Sequence, residues 1–254
     1  MRTEILYEDK IIMVIRKPAG LAVQSAGIGQ PDVVSELKSY LAKLPGAGRP
    51  GKGEPYLGIV HRLDQPVEGL LVFAKDKKAA ATLSKQLTEG ALNKHYYAVL
   101  CGYPDCPEGD LVDYLRKEGN VAVAVTGREQ EFADAKIAAL HYRILEEINA
   151  PSPLALADVT IGTGRFHQIR VQFAHAGFPL LGDTKYGMAA LIEAMPAQKY
   201  RGVALCAYSL ELVHPISGEK MGFRVVPKNP AFAGFAMEEL KKLTENETGI
   251  SKRG

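Results

Sequence analysis

Cysteine is scarce: Cys101, Cys106 and Cys206 make an odd count with no CxxC pair. That argues against a disulfide framework or a structural zinc site and fits a reducing compartment. Long apolar runs are missing as well. The longest aliphatic stretch near the N-terminus, Ile11 to Ile15, is far short of the ~20 residues a membrane helix needs. No apolar segment follows Met1-Arg2-Thr3-Glu4-Ile5, so a signal peptide is not expected, and a cytoplasmic chain without a membrane partner is. A charge excess is also absent. Thirty-one Lys and Arg face 29 Asp and Glu, for a net charge of +2, so any basic face must be local. The six histidines include no HExxH and no paired metal spacing, and no metal is expected. A GxSxG elbow is missing, as is the HxE with PCxxC signature of zinc deaminases. Internal repeats and low-complexity segments are absent too.

What is present is ordinary globular material. The chain has 254 residues, 46% apolar and 24% charged, enough for a sizeable core. One domain over residues 1–243 is expected, with a frayed polar tail at 244–254. Ile5 to Tyr7 and Ile11 to Ile15 read as strands, and Lys17-Pro18-Ala19-Gly20 ends the second. Pro31 opens a helix with a stripe of Val34, Leu37, Leu41 and Leu44. Leu57 to Val60 and Leu70 to Ala74 read as short buried strands. Asp76 caps a helix ending at Gly90, with Ala80, Leu83 and Leu87 inward. Its other face carries Lys77, Lys78 and Lys85, which is the pattern of a solvated face or, less often, of an RNA-facing one.

Further on, Lys94 to Leu100 is strand-like, 103–120 an irregular excursion, and Asn120 to Thr126 a β segment. Ala135 to Ile148 is taken as a strand although its length suits a helix. Leu154 to Ile161 alternates as a strand does. Arg165 to Ala176 reads as a helix stopped by Gly177. Val203 to Val213 and Met221 to Val226 are strands, and Pro230 to Leu243 a last helix. Strands outnumber helices and follow one another, which favours an α+β fold with a largely antiparallel sheet.

One signal misleads. Gly46-Ala47-Gly48-Arg49-Pro50-Gly51 matches GxGxxG and, with Lys52, nearly a P-loop. A helix rather than a strand precedes it, Pro50 interrupts it, and Gly53 stands where Ser or Thr is required. A loop is the better reading, although Arg49 and Lys52 could still touch phosphates.

Three stretches carry the chemistry. His61-Arg62-Leu63-Asp64 lies on a polar turn between two apolar runs, where rigid elements can hold a carboxylate. Read locally, Asp64 could equally cap the turn and pair with Arg62. The second stretch is Lys94-His95-Tyr96-Tyr97-Ala98. The third is Gly164-Arg165-Phe166-His167-Gln168-Ile169-Arg170-Val171. Together they resemble the RluA-type pseudouridine synthase family, with its HRLD, KxYxA and GRxHQIRVH segments. Tyr7 to Gly20 and Gly177 to Gly187 extend the likeness to roughly residues 4–228. The order of several motifs makes chance a poor explanation.

The resemblance implies the pseudouridine synthase fold, a largely antiparallel mixed β-sheet with flanking helices and loops around a central catalytic cleft, without an added N-terminal RNA-binding module. It also implies isomerisation of uridine to pseudouridine in a ribosomal or transfer RNA stem-loop. That reaction needs no redox change or energy input, hence no cofactor. Asp64 would be the catalytic carboxylate, attacking C1′ or removing the 2′-proton to give a glycal. It must be ionised, which calls for a nearby cation if it is buried. Arg165 would be that cation, and Tyr96 would stack on the uracil. A stem uridine must be flipped out, and Arg62 would fill its place. His61, Ile169, Lys94 and His167 complete the expected substrate contacts. Lys75, Lys77 and Lys78 could add phosphate contacts. Each also has an ordinary reading: an ion pair for Arg62, loop support for His61, core packing for Tyr96 and Ile169.

Four positions depart from the family pattern. Val67-Glu68 stands where Thr-Ser is usual, Phe166 where Thr is usual, and Gln172 where His is common. Two other readings compete. One is a non-catalytic RNA-binding or remodelling protein on the same fold. The other is a carboxylate glycosidase, for which Glu68 is the nearest second acid. A monomer is the default, since no heptads occur.

Overall fold

The computed structural model describes residues 1–25, 27, 29–44, 54–126, 134–149, 152–187 and 202–236. In chain order the described elements are β1 (Glu4–Glu8), β2 (Ile12–Lys17), α1 (Val33–Ala42), β3 (Gly58–Ile59), β4 (Glu68–Ala74), α2 (Lys77–Thr88), β5 (Asn93–Cys101) and β6 (Glu108–Glu118). Then follow β7 (Val121–Val125), β8 (Lys136–Ile148), β9 (Leu154–Ile161), α3 (Gln168–His175), β10 (Leu205–Val213) and β11 (Lys220–Arg224). They divide into two compact units: Met1–Lys94 with Ala207–Val225, and His95–Cys206 with Val226–Gly254.

In the first unit the strand order is β1-β2-β4-β10, with β11 on β10 and β3 on β4. Both β2 and β4 are buried along their whole length, which explains their near-continuous apolar runs. Asp9 forms the β1–β2 turn by accepting from the Ile11 and Ile12 amides, each at 2.7 Å. Asp32 rather than Pro31 caps α1, its Oδ1 accepting from Ser35 N at 2.7 Å, and Pro31 precedes the cap. Val34, Leu37 and Leu41 are buried as expected, while Leu44 lies past the helix end.

Helix α2 is capped by Asp76, which accepts from Ala79 N at 2.8 Å, and Gly90 follows it at φ +72°. Its inward face differs from the expected one: Ala79, Leu83 and Gln86 are buried, not Ala80 and Leu87. Gln86 is drawn in because its amide completes a backbone pair with Val213, donating to its carbonyl at 2.7 Å and accepting from its amide at 2.9 Å. A satisfied polar side chain thus replaces the leucine that periodicity favours.

In the second unit the order is β5-β9-β8-β6-β7, and every register along it is antiparallel. The thirteen-residue β8 is a strand, as read. Residues 108–118 are not irregular: β6 pairs with β8 on one side and β7 on the other. Two ladders hold it extended despite its mixed charged composition, which hid it from pattern reading. A cluster of Leu115, Ala122, Ala138 and Val171 packs beneath α3. After Asn229 the chain forms a single 3-10 turn at Pro230–Phe232. Residues 233–236 of the expected last helix are turn, bend and irregular chain instead; residues 237–243, the 244–254 tail, Arg49 and Lys52 lie outside the described residues.

Candidate functional site

The first unit holds Asp64 on the loop between β3 and β4. Two turns are laced together here. Gly20 N donates to Gln65 O at 2.8 Å, Gln65 Nε2 donates to Gly20 O at 3.4 Å, and Val67 N closes the loop on Asp64 O at 3.1 Å. The side chain that joins them is Lys17, which sequence reading treated only as a strand end. Its ammonium is fully buried and donates to Pro18 O at 3.0 Å, Leu21 O at 2.7 Å and Gln65 O at 3.1 Å. Burial pushes Lys17 down to about 7, and the Asp64 and Glu68 carboxylates work against that fall. A cation therefore stands in the field of Asp64 within its own unit. The signal that could have found it is a lysine directly before Pro-Ala-Gly at the end of an otherwise apolar strand.

The neighbours of Asp64 divide by exposure. His61 is buried, and its Nε2 accepts from Val72 N at 3.4 Å. Burial first, and then Lys94, push its imidazole down to about 3, so it is neutral and supports the loop. Arg62 is exposed, with Nη2 on Gln24 Oε1 at 3.2 Å, and is not spent on an ion pair with Asp64. Lys94, at the start of β5, is pushed by burial down to about 8.

The Glu68 departure has a structural reason. Glu68 is buried with Arg16, Oε2 to Nη2 at 3.5 Å. The guanidinium offsets the added charge. The glycine after it is retained for geometry: Gly69 sits at φ +128°, and a Cβ there would collide with the Ala207 backbone.

The second unit holds Tyr96, Arg165, His167 and Ile169. Tyr96 is buried in β5 opposite Val159 of β9. Arg165 is not in a helix, contrary to expectation. Helix α3 starts at Gln168 because His167 adopts a left-handed conformation, φ 54°, the one described non-glycine residue with positive φ. Arg165 Nε donates to Ile137 O at 3.0 Å. Gln168 secures the approach, accepting from Arg165 N at 2.9 Å and Thr163 Oγ1 at 2.8 Å, and donating to Ala139 O at 3.0 Å.

The strained His167 is held by Tyr186. The phenol accepts from Ala122 N at 2.7 Å and meets His167 Nδ1 at 2.6 Å. Such backbone strain persists only when surroundings over-determine it. Ile169 is buried. Gln172 is a tie between elements: its Nε2 contacts Asp113 Oδ2 at 2.8 Å and Leu111 O at 3.0 Å. Arg170 and Asp183 form a buried ion pair at 2.7 Å. This pair fixes the loop after α3.

Among the described residues no cluster of His, Cys, Asp and Glu could hold a metal ion, and no helix is long and apolar enough to cross a membrane. Comparison with known proteins agrees with the motifs. The family model for RNA pseudouridylate synthase matches residues 11–175. An uncharacterised RNA pseudouridine synthase of Synechocystis is 38% identical over 226 residues, covering 85% of this chain and 63% of its own. Ribosomal large subunit pseudouridine synthase D is 35% identical in Zymomonas mobilis, covering 87% and 68% of the two chains. The same-named protein of Pseudomonas aeruginosa is 36% identical, covering 86% and 66%. The chain thus spans about two thirds of these relatives' length. Among solved structures, human RNA pseudouridylate synthase domain containing 4 aligns at TM-score 0.68 and 25% identity over 94% of this chain and 93% of that one. Human RNA pseudouridylate synthase domain containing 1 shares the fold at TM-score 0.70 and 19% identity, over 99% and 97%. With the family model covering well over half of its residues, the chain belongs to the RNA pseudouridylate synthase family.

Proposed function

We propose that this protein isomerises a specific uridine in RNA to pseudouridine. The observation that carries this is the family match over residues 11–175, which contains all three motifs in order. That match takes in parts of both units. It supports reading residues 11–175 as part of one catalytic domain, which we propose runs over 1–243 with 244–254 as a tail. The reaction breaks the C1′–N1 bond, turns the uracil and joins C1′ to C5. The C5 proton is lost and N1 gains one, so the balance needs no cofactor.

Asp64 supplies the carboxylate, as nucleophile at C1′ or as base at C2′. Tyr96 stacks on the same flipped-out uracil, and Arg165 supports the carboxylate. Arg62 is exposed and uncommitted to Asp64, which suits insertion into the stack left by the uridine. His61, Lys94, His167 and Ile169 shape and support the substrate contacts. Ribosomal RNA is the proposed substrate, on the strength of relatives named for the large ribosomal subunit. Three free thiols, one of them exposed at Cys106, support a reducing, cytoplasmic setting, and a monomer is the working form.

The test is pseudouridine mapping across total RNA with wild type, with Asp64→Asn and without the protein. One wild-type-dependent pseudouridine, lost in Asp64→Asn while RNA binding is retained, is the expected outcome. A pseudouridine still made by Asp64→Asn would reject the assignment. Binding with no modification by wild type would favour the non-catalytic RNA-binding reading.

A further inference from the structure

Phe166 is the departure that the fold leaves unexplained. It is 40% exposed although it directly follows Arg165. Its ring lies on the His167 imidazole, centroids 3.8 Å apart and planes 22° apart. The Lys117 ammonium of β6 stands 4.9 Å from the ring centroid. His167 is itself pinned in its left-handed conformation by Tyr186. The ring is thus supported from behind by a braced residue, and its other face is covered by the exposed Lys117 side chain, a long flexible chain that an incoming base would displace toward the adjoining phosphate. Lys117 is exposed, and the nearby Glu118 carboxylate is taken up by Arg116 at 2.6 Å.

A single exposed aromatic needs no explanation. An exposed aromatic on a rigid backing, capped by a cation on a flexible exposed side chain, is a different arrangement. It matches what single-stranded RNA uses: a π-face for a base and a positive charge for the adjoining phosphate. Threonine, usual at this position in the resembling family, offers no such face.

We propose that Phe166, backed by His167 and flanked by Lys117, is a stacking platform for an unpaired RNA base next to the target uridine. The proposal deepens the reading of the protein as an RNA uridine isomerase and rests on it for the identity of the ligand. It makes Phe166 a binding residue rather than a catalytic one.

Two probes separate the platform from the activity. The first is an oligouridylate carrying one 2-aminopurine, with binding and fluorescence read in an Asp64→Asn background. Phe166→Thr is expected to weaken binding about tenfold and to abolish the stacking quench, whereas Phe166→Tyr keeps both, because stacking tolerates any base but needs a ring. Lys117→Gln should lower the salt slope by about one counterion. The second probe is a hairpin holding the mapped uridine, turned over by otherwise wild-type protein, where Phe166→Thr should raise KM with the loss not falling on kcat. Binding by Phe166→Thr within about twofold of its parent overturns the platform. So does a Phe166→Tyr variant that fails as badly as Phe166→Thr, since the ring would then be merely structural. A wild type that makes no pseudouridine refutes the isomerase reading, and the oligouridylate series still decides the platform.

Discussion

The Lys17 ammonium donates to the carbonyl of Gln65, 3.1 Å away, and so ties the end of β2 to the residue that follows Asp64. Three carbonyls surround this nitrogen, one for each ammonium proton. Shortening or neutralising the side chain takes this donor from the Pro18 and Leu21 carbonyls, while Gln65 O keeps the Gly20 amide.

Lys17→Met is therefore expected to loosen the Asp64 loop more than it harms the fold. Loss of buried hydrogen bonds typically costs ~1–3 kcal/mol, partly offset here because an ammonium no longer has to be buried. Pseudouridine formation should fall by far more than the melting temperature predicts. Activity equal to wild type in a folded variant would remove Lys17 from its positioning role.

Breaking the Arg16–Glu68 pair is expected to be costly. Glu68→Ala breaks the buried Arg16–Glu68 pair, and losing one partner of a buried pair typically costs about 3 kcal/mol or more. The double variant Arg16→Met with Glu68→Leu should lose clearly less than the two single losses added. Urea unfolding of the four proteins measures this coupling, and strict additivity would refute it.

Gly69→Ala puts a Cβ into the Ala207 backbone at a φ of +128°. About 2–3 kcal/mol of destabilisation is expected from strain and overlap together. A urea midpoint unchanged from wild type would show that the strand pair can spread to admit it.

Acid should destabilise the first unit through His61. Its folded imidazole is held down at about 3 against an ordinary 6.5. Between those values the unfolded chain binds the extra proton, so stability falls as pH falls. The slope from this one group approaches ~1.4 kcal/mol per pH unit below the unfolded value. His61→Gln keeps an acceptor for Val72 N and should flatten that acid limb in urea unfolding measured between about pH 7 and about pH 5.

Much was readable along the chain because it depends on local order. The apolar runs of β2 and β4 and the Asp76 cap follow from residue type and spacing. The family likeness follows from ordered motifs. The Asp64 stretch was legible as a polar turn between strands for the same reason. Where a residue's partner is distant in sequence, the reading failed. Strand β6 looked irregular because its charged residues are held by ladders to β7 and β8. Arg165 looked helical because nothing local announces that His167 turns left-handed, a conformation that the Tyr186 hydroxyl, 19 positions away, stabilises.

Sequence alone thus determined the class of fold, the family and the candidate residues for its chemistry, since motif identity and order survive without coordinates. Tertiary structure decided which departures are harmless and which charges are spent. Glu68 is answered by Arg16, 52 residues away, and Gln172 by Asp113, 59 residues away. Lys17 became a clamp on the Asp64 loop only when the chain returned 48 residues later. The reason is physical: the cost of burying a charge or an amide is set by the groups that folding brings beside it, not by its neighbours along the chain.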